Sequence, residues 1–312
     1  SNVYLDPGED YQLIFFNNPY SRMAFKFHHI TYFLDKNVLP LYVNYGFAAI
    51  KYARNIVKTD FYNLLWKVCV ESEINLQELK RYQPIKGRNA LMTGYVKMDR
   101  LAGEAVSPRT RKKIIVCPHH TVLGWKSLDI SNFMTYYDFF LELPKLYPEI
   151  DFVFRPHPLL FSNLLENKIW DQTRIDEYLA QIEALPNMSY DESGDYMGLF
   201  ANSDAMIHDC SSFIGEYLFT EKPCCYMLKS QEELEDVLSP MGAACMKHYY
   251  KAYSKSEILS FIDDVVVNGK DPLREQREAF SKAELKFNYP NGANCVLDMI
   301  KKTLFTEEGS VE

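Results

Sequence analysis

From Lys112 to about residue 286, strand-length apolar runs alternate with amphipathic stretches, and this alternation restricts the chain more than any other feature. "KIIVCP" is an apolar strand, and "NFMTYYDFFLELPKLYP" repeats its apolar residues at helical spacing. "DFVFRPHP" is a strand stopped by prolines, "WDQTRIDEYLAQIEAL" a helix, "MSY" a short strand and "DYMGLFANS" a helix. Then come the strand "DAMIHD", the helix "SSFIGEYLFTE", the strand "KPCCYML", the helix "SQEELEDVL" and the strand "HYYKAY". "KSEILSFIDDVVVNG" follows as a helix opened by a Ser cap, with Glu257 in its first turn. Strands this uniformly apolar, separated by helices, predict a parallel sheet covered on both faces. Two further helices are expected at about 271–286 and 293–305.

The first third has a similar but shorter rhythm. "YQLIFF", "LPLYVNY", "LWKVCVES" and "ALMTG" are expected strands, and "EINLQELKRY" is a helix between the last two. The small, polar stretch 101–113 ("LAGEAVSPRTRKK") is expected to link two domains. The expected division is 1–106, 107–286, and a final helix with its tail at 287–312 that returns to the first domain. At 312 residues and 47% hydrophobic content the chain can fill two cores, which excludes a disordered polymer. No apolar run reaches the roughly 18 residues of a membrane-spanning helix. The opening "SNVYLDPGED" lacks a Met and a charged-then-apolar leader, and is expected to be the edge of a longer chain. Seven cysteines in mostly apolar surroundings are expected to be buried thiols of a cytoplasmic protein. Residues 1–112 carry 16 Lys/Arg against 10 Asp/Glu, whereas the remainder carries 18 against 32. A basic front suits an anionic acceptor or the inner face of a membrane, although ordinary solvated surfaces would show the same balance. Nothing resembles a nucleic-acid-binding run.

In an open parallel sheet, ligands bind beyond the carboxyl ends of the strands. Three strand ends carry chemistry there. After "DAMI" come His208, Asp209, Ser211 and Ser212, where two hydroxyls at a helix start can receive an anion or simply cap the helix. After "DFVF" come Arg155 and His157, stiffened by Pro156 and Pro158, suited to clamp a pyrophosphate. After "KIIVC" come His119 and His120. Metal ligation is the rival for these histidines, but no carboxylate-rich spacing accompanies them, so no metal or cofactor is expected.

The stretch 190–227, "YDESGDYMGLFANSDAMIHDCSSFIGEYLFTEKPCCYM", resembles the signature of the CDP-glycerol glycerophosphotransferase family. "FRPHP" is similar to that family's Arg-x-His-Pro element, and "TGYVKMDRL" (93–101) to its Gly-Tyr-Pro-Arg-x-Asp segment. The resemblance implies a GT-B fold, two Rossmann-like domains whose parallel sheets face across a cleft. It also implies transfer of a polyol phosphate from a CDP-polyol donor to an anionic or lipid-linked polymer acceptor. In that frame Arg155, His157, Ser211 and Ser212 hold the donor pyrophosphate, Asp209 orients their loop and Glu216 meets the ribose. The family's early Trp-His-Gly-Thr-Pro segment corresponds to "YVNYGFA" (42–48), where Asn44 and Tyr45 stand and no base is present. His120 and His119 are the replacement candidates, with His28 and His29 behind them. A nucleotide-sugar glycosyltransferase or epimerase, and a non-catalytic donor-binding module, are the alternatives.

Overall fold

The computed structural model describes residues 6–20, 25–51, 53–122, 130–230 and 237–305. The chain divides into two compact units, one holding the residues up to Ala102 together with those from Lys282 onward, the other running from Gly103 to Ser281. Both are parallel α/β units, as the alternation predicts.

The first unit has four parallel strands in sequential order: β1 (Leu13–Phe16), β2 (Leu39–Tyr42), β3 (Lys67–Val70) and β4 (Ala90–Met92). The helix Glu73–Tyr82 matches "EINLQELKRY" residue for residue, because Ser72 caps it by accepting from the Asn75 N–H. The final helix, Gly292–Leu304, packs Val296 and Ile300 against Leu41 and Cys69 of this sheet. The 93–101 motif explains the attachment. Asp99 accepts from the Ala293 N–H at 2.7 Å, at the amino end of that helix. Gly94 has φ +78°, and a Cβ there would lie 2.0 Å from the Phe287 carbonyl oxygen, so only glycine fits.

The second unit has six parallel strands in the order β10-β9-β8-β5-β6-β7. They are β5 (Lys112–Cys117), β6 (Ile150–Phe154), β7 (Met188–Tyr190), β8 (Ala205–His208), β9 (Cys224–Met227) and β10 (Tyr250–Ala252). β6 and β7 build outward on one side of β5 and β8, β9 and β10 on the other, so the order reverses between β5 and β8, the switch point at which such sheets bind ligands. Ile114 to Cys117 are completely buried, as a strand covered on both faces requires.

Several elements differ from expectation. The helix expected from Ser211 is short: Phe213–Glu216 is α-helical and Tyr217–Thr220 continues as a 3₁₀ turn. The helix Leu160–Glu166 was not expected, since no side chain caps its start. The helices from Lys255 and Arg274 end in wider π turns, Phe261–Val267 and Ser281–Leu285. The "SQEELEDVL" helix lies mostly outside the described residues. The stretch 104–111 is irregular yet tied to the second unit: the Ser107 N–H donates to Asn202 (2.8 Å), Arg109 pairs with Asp204 (2.8 Å) and Arg111 with Asp151 (2.6 Å). Among the described residues no helix is long and apolar enough to cross a membrane. All seven cysteines are free, six of them buried.

Candidate functional site

β8, β5 and β6 are adjacent, and the loops leaving their carboxyl ends carry most of the residues singled out above. Asp209 is the centre of this edge. Its carboxylate is fully buried and accepts from the backbone N–H groups of His119 and Asn132, both at 2.5 Å, and from the Asn132 amide at 3.3 Å. Burial pushes its carboxyl up to about 7, while these donors pull the other way. The carboxylate expected to orient the 209–212 loop thus grips the loop after β5 and the start of the helix Phe133–Leu146.

His119, His120 and His157 come together. Their ring centroids lie 4.3 Å (119–120), 4.1 Å (120–157) and 5.2 Å (119–157) apart. One ring nitrogen from each is within 4.8 Å of the other two, a spacing at which three imidazoles can also share a metal ion. The ring of His119 is buried, with Nδ1 3.0 Å from the Thr121 hydroxyl. Nδ1 of His120 is 2.9 Å from the Asn163 amide, and Nδ1 of His157 accepts from the Leu159 N–H at 3.1 Å. Burial lowers all three pKa values, with neighbouring imidazoles adding to it at His119 and His157; His157 falls to about 4 and His119 well below its ordinary value. Burial thus favours the neutral form of each ring.

His208 is not part of this group, contrary to its grouping by strand end. It is a ladder residue, paired in register with Cys117 and Tyr226, so its ring turns into the interior against Tyr226 and Tyr249. Its Nδ1 accepts from the Cys210 N–H at 3.2 Å, and burial lowers it to about 3.

Arg155 lies beside the group, but its guanidinium is engaged. It pairs with Asp191, donates to the Ser193 carbonyl at 2.7 Å and sits 4.9 Å over the Tyr196 ring. Although burial opposes it, hydrogen bonds from Ser193 and Arg155 hold the Asp191 carboxyl below its ordinary range. The Tyr196 hydroxyl donates in turn to the fully buried Glu216. Arg155, Tyr196 and Glu216 thus form one chain of contacts that fixes the 190–196 loop. Ser211 and Ser212 are half-buried at the loop after β8, and the Ser212 hydroxyl does not cap the short helix that follows. Lys222, the lysine of the Lys-Pro pair, donates to the carbonyls of Phe200 (2.9 Å) and Ala201 (2.7 Å), closing the helix Met197–Ala201.

In the first unit, Asn44 donates to Glu71, a carboxylate directly after β3 that is 4% exposed. Burial raises Glu71 to about 7. His28 is packed edge-on against Phe25 and Phe27, with a buried Nδ1 that has no hydrogen-bond partner among the described residues. His29 is half-buried at the adjacent turn. Glu71, Asn163, Asp191 and Tyr196 were not anticipated. For Glu71 the signal existed: a carboxylate at the carboxyl end of an apolar strand.

No family model matches the chain, and no curated protein matches it in sequence. Solved structures do match. A histidine-to-asparagine variant of the wall teichoic acid polymerase TagF superposes with a TM-score of 0.64 at 14% identity, covering 94% of this chain and 73% of that one. An S. aureus MnaA–UDP co-structure gives 0.58 at 11% identity, over 96% and 78% of the two chains. A putative UDP-N-acetylglucosamine 2-epimerase from Listeria monocytogenes gives 0.56 at 11%, over 96% and 76%. At these identities what is shared is the fold, and the chain is a GT-B-type α/β protein with two parallel sheets.

Proposed function

We propose that this protein is an enzyme that moves a polyol phosphate, glycerol phosphate foremost, from a CDP-linked donor to a hydroxyl of a cell-surface polymer, releasing CMP. The observation that carries this reading is the gathering of His119, His120 and His157 at the carboxyl edge of β5 and β6, beside the switch point. Small polar donors grouped there suit a diphosphate. The resemblance of 190–227 favours a CDP-polyol over other nucleotides, whereas the fold, shared with TagF and with UDP-sugar epimerases alike, suits either.

In the proposed reaction the acceptor hydroxyl oxygen attacks the phosphorus next to the polyol, a new P–O bond forms, the bond to CMP breaks with its electron pair leaving on CMP, and the hydroxyl proton is released to water. Such transition states are loose, so catalysis rests on positioning and on stabilising charge at the phosphoryl and leaving oxygens. His157 and His120 supply N–H donors from the β6 and β5 loops, and Ser211 and Ser212 supply hydroxyls from the loop after β8. Arg155 and Asp209 act one step back: Arg155 braces the 190–196 loop and Asp209 holds the loop that carries the histidines.

A second reading is a nucleotide-sugar epimerase or glycosyltransferase, favoured by the epimerase structures that match 96% of the chain. One assay separates the two. Incubated with CDP-glycerol, CDP-ribitol and UDP-N-acetylglucosamine together with short polyol-phosphate acceptors, the protein is expected to release CMP from a CDP-polyol. Conversion of the UDP-sugar with no CMP from any CDP-polyol overturns the proposal.

A further inference from the structure

Three clustered imidazoles can face a cation or an anion, and the hydrogen bonds around the rings decide between them. A neutral imidazole has one N–H and one lone pair. A metal needs the lone pair; a phosphoryl oxygen needs the N–H. In His120, Nδ1 lies 2.9 Å from the Asn163 side-chain nitrogen, which is also 3.1 Å from the carbonyl oxygen of His120 itself. A carbonyl oxygen only accepts, so the group facing it is the amide NH₂, not the amide oxygen. Its two hydrogens reach the ring and the carbonyl, Nδ1 is an acceptor, and the ring hydrogen sits on Nε2. In His157 the partner of Nδ1 is the Leu159 backbone N–H at 3.1 Å, which can only donate. That ring hydrogen also sits on Nε2. His119 is not fixed in this way: the Thr121 hydroxyl, which accepts the Ile130 N–H at 3.3 Å, can donate to or accept from it.

We infer that Asn163 and the Leu159 amide lock His120 and His157 as a pair of Nε2–H donors, so that this corner seats an anionic oxygen rather than a divalent metal. Asn163 is then a positioning residue that denies His120 the roles of ligand and of base. The inference rests on the function proposed above only for naming the anion as a donor phosphate. Metal-binding histidines have the opposite arrangement, in which the far ring nitrogen donates to a carboxylate or carbonyl. Here the far nitrogen of each ring receives a hydrogen, and neither ring has a lone pair to offer. Neutral donors also hold a phosphate without the desolvation cost of a buried imidazolium.

Histidine ring ¹⁵N shifts of the whole chain report the tautomers directly. At pH 7 without ligand, His120 and His157 are expected as Nε2–H tautomers, inorganic pyrophosphate is expected to shift their Nε2 signals, and excess Co²⁺ is expected to give no tetrahedral absorption band. Asn163→Asp reverses the second partner, since a carboxylate accepts Nδ1–H. In that variant pyrophosphate binding, taken as a ratio to wild type at each pH so that the titration of pyrophosphate itself cancels, should weaken about tenfold as pH rises and His120 loses its second proton, the size of one lost hydrogen bond to a charged group. The variant should also gain the Co²⁺ band. An Nδ1–H tautomer at His120 or His157, or a Co²⁺ band in wild type, overturns the inference, and both are read on wild type even where the variant does not fold. Absence of CDP-polyol turnover with the tautomers as stated removes the phosphate's identity and leaves the donor pair standing.

Discussion

In each sheet a carboxylate directly after a strand is buried, and in both cases burial displaces the acid to about 7: Glu71 after β3 and Asp209 after β8. The similarity ends with their partners. Asp209 receives two backbone N–H groups, one on each oxygen at 2.5 Å, plus an amide. Backbone donors cannot turn away, so this carboxylate is a fixed joint between the loops after β5 and β8. Glu71 receives its own backbone N–H, which ties it to no second loop, and the side-chain amide of Asn44, which can rotate. The same displacement of pKa therefore accompanies two different jobs, and the donors tell them apart where burial does not.

Replacing each carboxylate by its amide tests this, with the larger effect at Asp209. Relief of desolvation alone would make Asp209→Asn stabilising above pH 7. The new NH₂, however, would face a backbone N–H at 2.5 Å with no acceptor between them. Breaking such a buried, charge-assisted arrangement costs about 3–5 kcal/mol. The expected outcome is a loss of that order in urea unfolding at pH 8, together with loss of turnover. An unchanged or raised midpoint would show that Asp209 is no joint.

The histidine edge gives the second effect. His157→Ala removes an N–H donor without touching a buried backbone group, because its ring is half-exposed and its backbone bonds persist. Turnover of a CDP-polyol is expected to fall about a hundredfold, the scale of one missing transition-state donor, while the unfolding midpoint stays near wild type. Equal turnover in wild type and variant would remove His157 from the chemistry.

How far the sequence exposed these sites depends on what each residue contacts. The strands, their parallel order and the positions of His119, His120, His157 and Asp209 at strand ends follow from apolar runs and the turn residues that stop them. What occupies Arg155 does not: Asp191 is 36 residues away, and periodicity carries no register between loops. Asn163 lies 43 residues from His120 on a helix with no capping side chain to announce it. The Ser pair promised a longer helix than exists, because "FIGEYLFTE" has helical spacing but tightens after Glu216 to a 3₁₀ turn that ends at Glu221 with φ +63°. His208 misled for a simpler reason: at the last position of a strand, a side chain can lie on either side of the ladder's end.

Glu71→Gln should give the smallest of these effects, with the opposite sign to Asp209→Asn. The folded-state acid is raised from 4.5 to about 7, so the fold binds this proton more readily than the unfolded chain does. Its favourable contribution is complete below the unfolded value and is lost as pH rises from about 4.5 through about 7. Above pH 7 the fold carries a buried anion offset by its own backbone N–H and one rotatable amide. Gln keeps an acceptor for Asn44 and removes the charge. Each unit of displacement is worth about 1.4 kcal/mol, and incomplete accommodation of the new NH₂ takes back part of the gain, so about 1–2 kcal/mol of stabilisation is expected at pH 8. At pH 4 the difference should vanish, and the variant's stability should be flatter than wild type between those values. Denaturant unfolding at pH 4, 6 and 8 reads this directly. A Glu71→Gln protein that is less stable at pH 8 than at pH 4, relative to wild type, would mean that Glu71 is held as an anion by fixed donors, and the contrast between the two sheet edges would disappear.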